Sequence, residues 1–162
     1  MLAGPLRPDA VKRALLTGMS GTGKSAVVRA LAARGYKAID TDDGWCQPTP
    51  DGRQMWRAEA IEALLATEDA EVLFVAGCEE NQVQFHPRFD FIILLSAPPE
   101  TLVERLATRT SNSFGKSPQE LRHILDDLEA VEPLLRRAAD HEVRTTMPLT
   151  GVVTTILQIV GA

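Results

Sequence analysis

The chain has 162 residues, 44% of them apolar and 24% charged, and its formal net charge is −5. That length suits one domain around a single core, and the negative balance excludes a broad nucleic-acid surface, which needs clustered Lys and Arg. No apolar run nears the roughly 20 residues that span a bilayer, so a membrane-spanning role is excluded as well.

In chain order, Arg13 to Thr17 reads as a first strand, and a helix beginning at Lys24 places Val27, Val28, Leu31 and Ala32 on one stripe before Gly35 ends it. Tyr36 to Ile39 is a short second strand that runs into Asp40, Asp42 and Asp43; residues 44–53 have loop composition; a helix is predicted from about Gln54 to Ala66 with Trp56, Ala60, Leu64 and Leu65 inward. Val72 to Ala76 and Phe91 to Leu95 read as buried parallel strands. Pro98 and Pro99 open a helix to about Thr108, and TSNSFGKS (Thr110 to Ser117) is a polar loop. Ser117, Pro118 and Glu120 form a helix start with an N-cap serine, N1 proline and N3 glutamate. Leu121, Ile124, Leu125, Leu128 and Val131 continue it, and Pro133 is expected to kink or break the run. Glu142 to Thr145 is the last strand, and Leu149 to Val160 a closing helix. Strands alternating with helices in this way predict an α/β domain with a mostly parallel sheet.

The strongest chemical signal is Gly18-Met19-Ser20-Gly21-Thr22-Gly23-Lys24-Ser25, a complete G-x-x-x-x-G-K-S between a predicted strand and a predicted helix. Glycines let successive N–H groups turn toward an anion, and the helix adds its positive end at the same point. Lys24 can reach β- and γ-phosphates and the Ser25 hydroxyl can ligate magnesium. The expected ATP-binding set is Gly18, Ser20, Gly21, Thr22, Gly23, Lys24, Ser25 and Ala26.

Asp40-Thr41-Asp42 lies at the carboxyl end of the second strand, the edge where open parallel sheets bind ligands. A carboxylate there can take a hydroxyl proton or hold water on magnesium; the bland alternative is a loop of solvated acids. With the GMSGTGKS loop and one helix between them, these residues resemble the shikimate kinase and gluconate kinase branch of the nucleoside monophosphate kinase-like proteins. That resemblance implies Asp42 as the acceptor-side carboxylate and Asp40 as a metal-supporting acid, either of which a structural role would also explain. It further implies that Arg105 and Arg109, spaced R-x-x-x-R before the polar loop, open a lid over about 109–117, with Arg105 packing on adenine and Arg109 contacting transferring phosphates; Lys116, next to Gly115, could add a charge on closure. The alternative is a solvated helix face carrying two arginines.

The chain departs from the shikimate kinase pattern in two places. Val131 stands where that family has a substrate-binding arginine, and Ala76-Gly77-Cys78 replaces its glycine triplet. Cys78-Glu79-Glu80-Asn81-Gln82, acidic and amide-rich, suits a neutral or cationic acceptor, whereas Arg57, after Trp56, would read an anionic group; Trp56 in the core and Arg57 solvated is the competing reading. His86 is expected to be structural. No Asp follows the third strand, so Ser25 and Asp40 come first as metal candidates and Glu79 third.

The predicted architecture over residues 1–162 is therefore a single three-layer α/β P-loop NTPase domain with a five-stranded parallel sheet, a short lid and an acceptor-side region at about 41–70. The predicted activity is transfer of the γ-phosphoryl group of ATP, with Mg2+, to a small hydroxyl compound. Lys24, Asp42 and Arg109 would be catalytic, with Asp42, Arg57, Gly77 and Cys78 at the acceptor. A nucleoside or nucleoside monophosphate kinase is the first alternative, and a nucleotide-binding regulatory module with little turnover is the second. The start MLAGPLRPDAVKR lacks the apolar core of a signal peptide. Cys46 and Cys78 lack zinc or disulfide spacing, so a cytoplasmic monomer or homodimer with reduced thiols is expected.

Overall fold

The computed structural model describes residues 10–108 and 117–162. Five strands, β1 (Lys12–Thr17), β2 (Lys37–Asp40), β5 (Val72–Ala76), β6 (Phe91–Ser96) and β7 (His141–Arg144), form one sheet in the order β2-β5-β1-β6-β7, every neighbouring pair parallel. Parallel strands need both faces covered, and the side-chain period of two in β1 shows how this is met. Ala14 and Leu16 face α1 (Lys24–Ala33) and α5 (Leu149–Val160), where they join Val28, Leu31, Val153 and Ile156 in one buried cluster. Leu15, with Leu73 and Val75 of β5, faces the other way onto Trp56, Phe85 and the Ile61, Leu64 and Leu65 stripe of α2 (Ala58–Leu65). The result is the predicted three layers.

A third cluster carries the chain away from the sheet's C-terminal edge. Leu102 of α3 (Pro99–Thr108) and Leu128 and Leu135 of α4 (Pro118–Ala138) pack with Met19 and Leu94. Ser117 starts α4 as expected: its Oγ accepts from the Glu120 N–H at 3.1 Å and pairs with Glu120 Oε1 at 2.9 Å. Pro133 does not break the helix, which continues to Ala138. Leu128 and Leu135 anchor the helix in the same cluster on either side of Pro133, which is itself exposed, and this offsets its missing N–H.

The predicted helix over 54–66 is corrected at its start. Gln54–Trp56 is a strand, β4, paired antiparallel with β3 (Cys46–Pro48) inside the stretch read as loop, and α2 begins only at Ala58. The cause is Asn81. Its amide meets the Trp56 backbone twice, Oδ1 accepting from Trp56 N–H and Nδ2 donating to Trp56 O, both at 2.9 Å. A side chain thus continues the ladder and holds the residue extended. Asn81 belongs to a 3-10 segment, Glu80–Arg88, that sequence periodicity did not indicate. No helix among the described residues is long and apolar enough to cross a membrane.

Candidate functional site

β1 is the central strand, and the chain leaves its C-terminal end through Gly18 to Gly23 into α1. Gly21 and Gly23 adopt φ of 86° and 99°, left-handed values that suit glycine, and Gly23 is the N-cap of α1. The first helical bond runs from Val27 N–H to Gly23 O at 3.0 Å, so the N–H groups of Lys24, Ser25 and Ala26 have no intrahelical acceptor. Thr22 is fully buried; its hydroxyl donates to Met19 O at 2.8 Å and its N–H to the same oxygen at 3.3 Å, so it shapes the loop from inside. Ser20 is exposed on the rim. The Lys24 ammonium crosses the loop to Gly18 O and, at 3.1 Å, to Met19 O.

Beside this cradle, Ser25 Oγ donates to Asp40 Oδ2 at 2.6 Å, while Asp40 Oδ1 accepts from Asp42 N–H at 3.1 Å. A hollow of about 360 Å³ bordered by Ser25, Asp40, Asp43 and Trp45 opens next to the pair. Hydroxyl and carboxylate oxygens are hard donors, and the open hollow has space for the waters that magnesium keeps, so these residues fit that ion.

Asp42, Cys46 and Glu79 place a carboxylate oxygen, a sulfur and a carboxylate oxygen within 4.8 Å of one another. Partial burial and the Asp40 charge push the Asp42 carboxyl up, and Lys24 pulls it back. Burial, then the Asp42 charge, pushes Glu79 up to about 7, again opposed by Lys24. The Cys46 thiol, desolvated and facing Glu79 and Asp42, is held at about 12. Cys78 is also raised by burial, with Lys24 opposing. One ammonium therefore bonds the phosphate loop and opposes the rise of both carboxyls.

Glu79 carries a sign that can be checked. Its carboxyl is protonated more readily folded than unfolded, so its favourable contribution is complete below the ordinary glutamate value of 4.5 and is lost as pH rises through about 7. Glu79→Gln keeps the shape without the charge. It should raise the melting temperature near pH 8 by roughly 2–4 °C, corresponding to about 1 kcal/mol after solvent screening, and the gain should vanish near pH 5. Equal melting shifts at both pH values would contradict the assignment.

The wall behind these acids is a buried polar network. Trp56 Nε1 donates to Thr41 Oγ1 at 2.9 Å, Thr41 Oγ1 donates to Ala76 O at 2.7 Å, and Gln82 Nε2 donates to Thr17 Oγ1 at 3.1 Å. Asn81 and Gln82, read from sequence as acceptor-facing amides, are instead buried in this network. Glu80 turns outward to Arg53 at 2.6 Å. Gly77 sits where a Cβ would collide with Thr41 Oγ1 and meet the Trp56 indole at 3.0 Å. Gly77→Ala should therefore cost about 2 kcal/mol, a loss readable in urea unfolding; an unchanged midpoint would show the network to be soft.

Arg57 is exposed and donates to Gly44 O at 2.9 Å, tied to the loop after Asp42. Arg105 donates to Gly21 O at 3.0 Å and to Thr145 Oγ1 at 2.9 Å, with a further bond to Thr145 O. Its edge thus clamps α3 to the phosphate loop, and the guanidinium face is what stacking on an adenine would use. Arg109, Lys116 and all of the predicted lid except Ser117 lie outside the described residues. Cys46 and Thr145 were missed in sequence: Cys46 enters the site through the unforeseen hairpin, and Thr145 is an ordinary threonine beyond β7.

A protein-family model described as an AAA domain matches residues 15–126, well over half of the chain. No curated protein matches it in sequence. Among solved structures, the chain resembles a shikimate kinase from Acinetobacter baumannii in complex with shikimate, with a TM-score of 0.69, 16% identity and 94% of each chain covered. It also resembles a shikimate kinase from Bacteroides thetaiotaomicron (TM-score 0.67, 19% identity, 93% of this chain and 99% of that one). A gluconokinase from Sinorhizobium meliloti 1021 matches at TM-score 0.63 and 23% identity over 93% of this chain and 91% of that one. At these identities the likeness is one of fold, and it bears out the five-stranded parallel P-loop architecture.

Proposed function

Because the chain belongs to the AAA-domain family and folds as a P-loop α/β sheet, we propose that it moves the γ-phosphoryl group of ATP onto the hydroxyl of a small molecule. The observation that carries this reading is the position of Lys24, whose charge reaches both the phosphate loop and the acids Asp42 and Glu79. A nucleotide-binding module needs the first of these; a phosphotransferase needs both in one place. The structural neighbours include a shikimate kinase and a gluconokinase, which supports the same reaction class.

In this reading Gly21, Gly23 and the free N–H groups of Lys24, Ser25 and Ala26 bind the β- and γ-phosphates at the positive end of α1. Lys24 stabilises charge on the transferring group. Asp42 orients the acceptor hydroxyl and takes its proton as the new P–O bond forms and the bond to ADP breaks. Ser25 and Asp40 would hold magnesium, which when bound offsets charge on the phosphate oxygens. Arg105 stacks on the base, and Arg109 is assigned to the transferring phosphoryl by its place in the R-x-x-x-R run. Gly77, Cys78 and Arg57 border the acceptor. In this reading the protein works as one P-loop unit in the cytoplasm, as a monomer or homodimer.

ADP release from Mg-ATP across pools of polyols, sugar acids, amino alcohols, nucleosides and nucleoside monophosphates tests this. Release stimulated by one hydroxyl-bearing pool supports the proposal. Stimulation by nucleoside monophosphates alone moves the acceptor to a phosphate, and tight ATP binding with no response from any pool favours the regulatory module.

A further inference from the structure

A cavity of about 470 Å³, apart from the phosphate loop and the acceptor acids, opens between the start of α3, the middle of α4 and the end of β7. That volume is in the range of small-molecule sites. Ala97, Pro98, Leu125 and Leu128 give it an apolar lining, and charges of opposite sign come from two elements: Glu129 and Glu132 from α4, Arg144 from β7.

The polar network beside it leaves two groups unmatched. Arg136 forks between Glu142, at 2.8 and 3.2 Å, and Glu132 Oε1, at 3.0 Å. Glu142 Oε2 also accepts from Ser96 Oγ at 2.6 Å. Glu132 Oε2, by contrast, is buried without a hydrogen-bond partner among the described residues, on a side chain only 13% exposed. Leaving a buried carboxylate oxygen unpaired is costly, so a donor is expected there. Arg144 comes no closer than 4.0 Å to a described carboxylate, and that one, Glu142, is already engaged by Ser96 and Arg136.

We propose that this cavity binds a small zwitterion with an apolar body, a free amino acid of the leucine or phenylalanine kind, and that its occupancy strengthens nucleotide binding. The ligand's ammonium brings three donors to Glu132 and Glu129, its carboxylate pairs with the Arg144 fork, and its side chain lies on Leu125, Leu128 and Pro98. The terminal torsion of a glutamate is soft, so an entering ammonium can draw the covered Glu132 oxygen toward the cavity. A simple cation would face Arg144 with a like charge, and a simple anion would face Glu129 and Glu132.

The cavity adjoins the support of the nucleotide side. Thr145, next to Arg144, donates its N–H to Ser96 O at 2.8 Å, and Ser96 precedes the cavity residue Ala97. Arg105 joins Thr145 Oγ1, at 2.9 Å, to Gly21 O of the phosphate loop, at 3.0 Å. A ligand that ties Arg144 to α4 steadies this clamp, and by linkage the nucleotide should tighten the ligand by the same factor.

Calorimetry of the full-length protein with leucine, phenylalanine, N-acetylleucine and leucine amide, each with and without ADP, tests the proposal. Leucine or phenylalanine should bind with a dissociation constant below about 1 mM. The two blocked forms, each lacking one charge, should bind at least about 10-fold more weakly, the scale of one charge-assisted hydrogen bond. Arg144→Gln, Glu129→Gln and Glu132→Gln should each weaken leucine by about 10-fold and leave ADP affinity without leucine as in wild type. If Glu132→Gln fails to fold, the two exposed rim variants still decide. Saturating leucine should tighten ADP by about fivefold. No binding of either amino acid, or binding that the blocked forms and the variants leave unchanged, overturns the site, and Glu132 Oε2 would then be served by water. Binding that leaves ADP affinity unmoved overturns the effect on the nucleotide. The readout is binding and not turnover, so its failure is distinct from a failure of the phosphotransferase reading.

Discussion

Lys24→Met should fold normally and lose acceptor-dependent ADP release by about 10³-fold, the scale of removing one preorganised charge from a phosphoryl transition state. Methionine keeps the length of the side chain and removes only the ammonium. Two weak consequences are separable from catalysis. The bonds to Gly18 O and Met19 O disappear, but they lie in a half-buried loop with solvent access, so unfolding should shift by no more than about 1 kcal/mol. The carboxyls of Asp42 and Glu79 lose the positive charge that opposes their upward shift, so the Glu79 titration should move to higher pH in the variant. Carbon-13 NMR of the glutamate carboxyls would show this. Turnover within tenfold of wild type would remove Lys24 from the transfer step, and an unmoved Glu79 would separate the phosphate loop from the acceptor acids.

Asp42→Asn gives the second large effect and separates transfer from binding. An amide has nearly the carboxylate's size but cannot accept a proton, and the Asp42 N–H bond to Asp40 Oδ1 belongs to the backbone. ATP binding should persist while acceptor-dependent turnover falls by about 10²- to 10⁴-fold, the usual span of a positioned general base. A loss of ATP affinity with unchanged turnover at saturation would assign Asp42 to the metal instead of the acceptor. Because Asp42 and Glu79 share a field, Asp42→Asn should also lower the Glu79 carboxyl toward its ordinary value.

What the sequence disclosed follows from the range of the forces involved. The phosphate loop, the strand Val72–Ala76, the helix Leu149–Val160 and the Ser117 cap are specified by neighbours a few residues apart, through glycine placement, alternation and capping. Asp40 and Asp42 were readable because a parallel sheet delivers strand ends to one edge. Gln54–Trp56 was misread as helix because its conformation is decided by the Asn81 amide, 25 residues away in the chain. The same long-range contact hid the approach of Cys46 to Glu79. The family resemblance singled out Arg105, but its bonds to Gly21 O and Thr145 are tertiary and leave no local trace. Glu79 was visible only as part of an acidic stretch; the fold separates it from Glu80, which pairs outward with Arg53.

The central claim is that phosphoryl transfer, and not hydrolysis or binding alone, occurs where Lys24 meets Asp42. The most direct measurement follows the label from [γ-32P]ATP with magnesium and the acceptor pool, separating phosphate esters from inorganic phosphate. The predicted result is label in an acid-stable ester, formed one for one with ADP, dependent on the acceptor and lost in Lys24→Met. Label recovered only as inorganic phosphate, or retained in ATP despite saturated binding, would contradict it.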